Sequence, residues 1–86
     1  MIYLALSRES ALEAIRVART QSCAIWVGSD AISEDEHHVI SSEGVKMTRF
    51  SYPLAGAEPE VVAEALATIR EHHPGETIWV QHVAAP

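Results

Sequence analysis

Short runs of uninterrupted apolar residues alternate along this chain with segments whose apolar positions recur every three to four residues. The first run, IYLAL at 2–6, contains no polar residue. A strand covered on both faces reads this way, because neither side of its pleat meets water. Ser7 then has the chemistry of an N-cap, and Glu9 puts a negative charge in the first helical turn, where the dipole favours it. The helix predicted from there runs to about Gln21. At about 100° per residue, Ala11, Leu12, Ile15 and Ala18 share one arc, which Ala14 and Val17 widen. Glu13, Arg16 and Thr20 form a narrow polar stripe opposite. That arc is wider than one sheet face requires, so a neighbouring helix or a second subunit is expected on its flank.

The second run, CAIWVG at 23–28, again lacks polar alternation and predicts a central strand. Gly28-Ser29-Asp30 ends it with turn chemistry. Ser33 and Glu36 have the spacing of a capping box, in which each side chain satisfies the backbone N–H of the other residue. Gly44 supplies a left-handed stop, so a helix is predicted over 34–43, with Ile32, Val39 and Ile40 as its buried arc. In the third run, VKMTRFSYPL at 45–54, Val45 and Met47 alternate with Lys46 and Thr48. One wetter face fits a sheet edge. Pro59, flanked by Glu58 and Glu60, opens the last helix. Val61, Val62, Ala65, Leu66 and Ile69 give the clearest amphipathic stripe in the chain, and His73-Pro74-Gly75 ends it. The final run, ETIWVQHV at 76–83, has the β-branched and aromatic content of a strand.

These segments predict one small α/β domain over 1–86 with the order β-α-β-α-β-α-β. The sheet is expected to be four-stranded and mainly parallel, with helices on both faces through right-handed crossovers. Strands one and two read as central and strand three as an edge. The favoured spatial order is therefore 3-2-1-4, half of a Rossmann-type sheet. The alternatives are a flavodoxin-like 2-1-3-4 order and a split β-α-β, ferredoxin-like arrangement with residues 33–43 as an insertion.

Charge narrows the partners. Six basic residues stand against twelve acidic ones, for a net charge of −6. Nucleic-acid backbones are bound by displacing counterions with Lys and Arg, so no nucleic-acid partner is expected. No apolar run approaches the roughly 18 residues of a membrane span. The amino terminus lacks the basic lead and the apolar stretch of a signal peptide, and a cytoplasmic location is the expectation. Cys23 is the single cysteine. It lies in an apolar run without a neighbour to activate it, so it reads as a buried, inert thiol.

Two acid-flanked histidine pairs invite a metal reading. Glu34 and Asp35 precede His37 and His38 by three residues, a spacing that di-iron bundles use, but the bundle pattern is missing. Consecutive helix residues diverge by about 100°, so His37 and His38 cannot ligate one ion together. His72 and His73 sit near a helix C-terminus, where a protonated ring is favoured. No zinc spacing occurs, and neither a metal nor another cofactor is expected. Surface pairs such as Glu34 with His38 account for these residues.

In open parallel sheets, ligands sit beyond the carboxyl ends of the strands where the strand order reverses. For the 3-2-1-4 order, that place collects Ser7, Arg8, Ser29, Asp30 and His82. Ser7 and Arg8 at a helix N-terminus suit an anion, and His82 could lend a proton. Each has a plainer reading: Ser7 as a cap, Arg8 as a solvated residue, Asp30 as a turn lock. No glycine-rich phosphate cradle is present, and Ser29 lacks a nucleophile elbow, so no catalytic residue is assigned. The stretch RFSYPLAG at 49–56 places Arg49, Phe50 and Tyr52 on or just past an edge strand, and such residues favour interface centres. Together with Val17 on the broad arc of the first helix, they are the candidate interface. A homodimer through that helix or the strand-three edge is a further expectation. The sequence thus favours a small acidic, non-catalytic protein that binds or regulates a macromolecular partner, here a protein. The alternative is a minimal Rossmann-like module that binds a small anion or nucleotide at the carboxyl ends of strands one, two and four.

Overall fold

The computed structural model describes residues 1–81. The elements follow in the predicted order: β1 (Ile2–Ala5), α1 (Arg8–Thr20), β2 (Ala24–Val27), α2 (Glu34–Ser42), β3 (Lys46–Arg49), α3 (Pro59–His72) and β4 (Ile78–Gln81). The strands form one sheet in the order β3-β2-β1-β4, and every neighbouring pair is parallel. The 3-2-1-4 reading therefore holds, and the flavodoxin-like and split alternatives do not.

Handedness then assigns the faces. The first two crossovers step from β1 to β2 to β3 in one direction, and the third returns to the far side of β1. Right-handed connections therefore put α1 and α2 on one face and α3 on the other. On the first face, Ala5, Ile25, Val27 and Met47 of the sheet meet Ala11, Ala14 and Ile15 of α1 and Ile40 of α2. The alanines let α1 approach the strands closely. On the second face, Ile2, Leu4 and Trp26 meet Ala65 and Ile69 of α3, and Phe50 and Leu54 close the end of that cluster. β1 and β2 contribute to both clusters, which is why their sequences carry no polar alternation.

Three sequence expectations are corrected. The third strand ends at Arg49 instead of reaching residue 54. Phe50 N–H still donates to Val27 C=O at 2.8 Å. The Asp30 carboxylate then takes the N–H groups of Leu54 and Ala55 at 3.1 and 3.2 Å, which pulls the chain out of line. Leu12, assigned to the α1 arc, is 44% exposed, and Val39, assigned to the α2 arc, is 57% exposed. Each helix needs only a narrow stripe to cover its strands, and these residues lie past its margin. In α3, Ala65 and Ile69 are buried, while Val61, Val62 and Leu66 are half-buried. Among the described residues, no helix is long and apolar enough to cross a membrane.

Candidate functional site

The strands deliver their loops to the carboxyl end of the sheet, where the sequence placed a possible ligand. Ser7 caps α1 there, and the cap is reciprocal with Ser10. Ser10 N–H donates to Ser7 Oγ at 3.2 Å, and Ser7 N–H donates to Ser10 Oγ at 3.1 Å. Ser10 is buried at 4% exposure, and its S-x-x-S spacing from Ser7 was the signal for this second half of the cap.

Arg8 leaves the same turn and reaches α2. Its Nη1 donates to Glu36 Oε1 at 2.9 Å and its Nη2 to Glu36 Oε2 at 2.8 Å. Nη1 also donates to Ala31 C=O at 3.1 Å. Glu36 completes its own capping box by accepting Ser33 N–H at 3.0 Å. The Arg8 guanidinium, aided by Ser33 N–H, lowers the Glu36 carboxyl to about 2. The same pair raises the Arg8 guanidinium.

Asp30 spends both carboxylate oxygens on the 54–55 backbone, as described above. Ser29 N–H donates to Tyr52 C=O at 3.0 Å, and Ser29 C=O accepts from Arg49 Nη2 at 3.0 Å. Arg49 Nε also donates to Ile32 C=O at 2.6 Å, and its Nη1 lies 3.7 Å from Glu34 Oε1. Arg49 therefore ties the loop after β2 to the end of β3. Gly28 is required at this junction: a Cβ there would stand 2.8 Å from Leu54 N. Ser7, Arg8, Ser29 and Asp30 thus gather at one end of the sheet, held by bonds to the protein itself. His82 lies outside the described residues.

Of the residues proposed for an interface, Arg49, Phe50 and Tyr52 follow one another at the end of β3, and Val17 lies on α1. Phe50 is 7% exposed, with its ring centroid 5.3 Å from Trp26 and 5.1 Å from Tyr52. Tyr52 is half-buried, and burial, with Glu64 nearby, pushes its phenol up. Val17 is half-buried on α1. Phe50 and Tyr52 close the end of the second core, whereas Arg49 is spent on the carbonyls of Ile32 and Ser29.

Three of the histidines serve the fold. His37 Nε2 donates to Met47 C=O at 2.8 Å, fastening α2 to β3. His72 Nδ1 donates to Thr68 C=O at 3.0 Å, and His73 Nδ1 to Glu76 Oε2 at 2.9 Å. The rings of His72 and His73 stand 5.4 and 6.1 Å from that of Trp26. The hydrogen bond from His73 lowers the Glu76 carboxyl. Burial raises the Cys23 thiol, away from nucleophilic use. Among the described residues, no group of three His, Cys, Asp or Glu side chains is placed to hold a metal ion.

Two surface features escaped the sequence reading. An open depression of about 570 Å³ is lined by Glu34, His37, His38, Ser41, Arg49 and Ser51. A second, of about 430 Å³, is lined by Val39 and Ile40 together with Asp35, Glu36, Glu43 and Arg19. Arg19 Nη2 donates across to Glu43 Oε1 at 3.2 Å. Exposed hydrocarbon on α2, read as core from its periodicity, was the missed signal. Compared with protein-family models, curated proteins and solved structures, the chain matches none.

Proposed function

We propose that the protein is a small acidic, non-catalytic module that binds a macromolecular partner carrying basic side chains. One observation carries this reading: among the described residues, the side chains read as an anion site are already bonded within the chain. Arg8 is held by both oxygens of Glu36 and by Ala31 C=O. A phosphate would have to displace that carboxylate and place its own charge beside it. Asp30 is likewise committed to the backbone of Leu54 and Ala55.

The groove along α2 supports the positive half of the proposal. It pairs exposed hydrocarbon at Val39 with Asp35, beside Glu36 and Glu43, which are already bonded to Arg8 and Arg19, on a chain of net charge −6. Apolar side chains beside carboxylates suit an amphipathic segment bearing Lys or Arg. The second reading, an anion or nucleotide module, is favoured by the reversal of strand order between β1 and β4, the usual ligand position in such sheets.

Backbone amide NMR on the full chain separates the two. A lysine-rich amphipathic peptide is expected to shift the amides of residues 35–43, less so as salt rises, and Val39→Lys is expected to abolish the shifts. Inorganic phosphate or ATP at about 1 mM, enough to half-fill a millimolar site, is expected to leave residues 7–10 unmoved. Saturable shifts at residues 7–10 with either anion would overturn the proposal and establish the second reading.

A further inference from the structure

β4 ends the sheet on its side, with β1 as its neighbour among the described residues. Ile2 N–H donates to Thr77 C=O at 3.1 Å. In a parallel ladder, that bond directs the N–H and C=O groups of residues 77, 79 and 81 toward β1. Those of Ile78 and Val80 then point outward. Such an open row is a template for another strand, and proteins blunt it with Lys, Pro, a bulge or a covering element. The opposite edge is blunted in this way, since Lys46 lies on β3 and His37 fastens α2 against it. Among the described residues, β4 has none of these devices. Residues 77–81 include neither charge nor proline, and the register with β1 runs without interruption.

Each face of this bare edge carries exposed hydrocarbon. Trp79 lies beside Tyr3 on the face that α1 covers. It is nevertheless 54% exposed, because α1 packs mainly over β1 and β2. Val80 lies beside Leu4 on the α3 face and is 41% exposed.

We propose that this edge pairs antiparallel with the same edge of a second copy, about a two-fold axis at Trp79, to give one continuous sheet. The outward groups set the register. Ile78 N–H donates to Val80 C=O of the second copy, whose Val80 N–H donates back to Ile78 C=O. The symmetric pair does the same, so every outward group on Ile78 and Val80 finds a partner. Trp79 then faces Trp79 of the second copy in a non-hydrogen-bonded pair, where opposed side chains come closest. A two-fold axis makes this contact closed and self-complementary. Charge selects a copy of the chain over a basic partner. The strip offers no carboxylate to a cation, and none of its own side chains repels the same strip of a second copy. The contact is small, so the dimer belongs to the weak class, with a dissociation constant on the order of 10 µM. It goes beyond the proposed partner groove, which lies on α2.

Sedimentation of the full chain across concentration, with site-directed thiols as a check on register, tests the proposal. A concentration-dependent dimer that tightens with added salt is expected, because salt screens the repulsion between copies. Val80→Pro removes an N–H that β1 does not use, and it should yield a monomer with native circular dichroism. If that variant does not fold, Trp79→Lys serves in its place by setting like charges across the axis. In a Cys23→Ser background, Trp79→Cys should oxidise readily to a linked dimer, while Ile78→Cys and Val80→Cys alone should not, since only residue 79 meets itself. A monomer at every concentration up to about 1 mM, or a dimer untouched by these variants, would overturn the proposal. Equal cross-linking at all three positions would also do so.

Discussion

Glu36 shows how much of this fold hangs on single side chains at helix ends. Its Oε1 accepts Ser33 N–H and Arg8 Nη1, while Oε2 accepts Arg8 Nη2. One carboxylate therefore caps α2 and pins the start of α1. Its folded value of about 2 lies below the ordinary 4.5. A depressed acid contributes its stability above the unfolded value and loses it as pH falls through the folded one. The stabilisation from Glu36 should thus be complete above about pH 4.5 and fade toward pH 2. Arg8→Ala is expected to return the carboxyl toward 4.5 and to move acid unfolding to higher pH. Titration of the Glu36 carboxyl carbon by NMR, beside circular dichroism, checks both. An unmoved titration curve would show that Arg8 does not hold this carboxylate in solution. The capping box was legible because S-x-x-E is a local pattern. Arg8 was not, because its partner lies beyond the rest of α1, β2 and their loops, and no local spacing encodes that distance.

Elements tell the same story at their margins. Periodicity located α1, α2 and α3, and the caps fixed their ends closely. It overstated what they bury, since an apolar residue at the edge of an arc looks like core whether or not anything covers it. Adjacent residues on α2 make the contrast testable. Ile40 is 9% exposed and packs on the sheet, while Val39 is 57% exposed. Ile40→Ala should cost about 2–3 kcal/mol through lost burial and a residual cavity. Val39→Ala should cost less than about 0.5 kcal/mol. Urea unfolding of the two variants measures the difference, and equal losses would mean that α2 sits differently against β3. The overlong third strand has a similar origin. Its apolar residues continue past Arg49, but Phe50 and Leu54 fill the second core from a loop that Asp30 holds.

The whole molecule is two clusters on opposite faces of one sheet, joined through β1 and β2. Neither face retains its packing once those strands separate, so the clusters should melt together. In a Trp79→Phe background, Trp26 fluorescence and far-ultraviolet circular dichroism are expected to give coincident thermal transitions. A separate early loss of the Trp26 signal would show that the α3 side unfolds independently. At this scale the sequence by itself determined the element order, the parallel sheet and its 3-2-1-4 arrangement. Those follow from local periodicity, from which strands lack a polar face, and from the fixed hand of crossovers. Only the tertiary structure decided what became of the charged and aromatic residues at the sheet's end. It turned Arg8, Asp30 and Arg49 into internal ties, sank Phe50, and left Val39 and Trp79 in water. The reason is physical. Whether a polar group is spent or free, and whether an apolar one is covered, depends on partners tens of residues away, and a chain's local pattern holds no record of them.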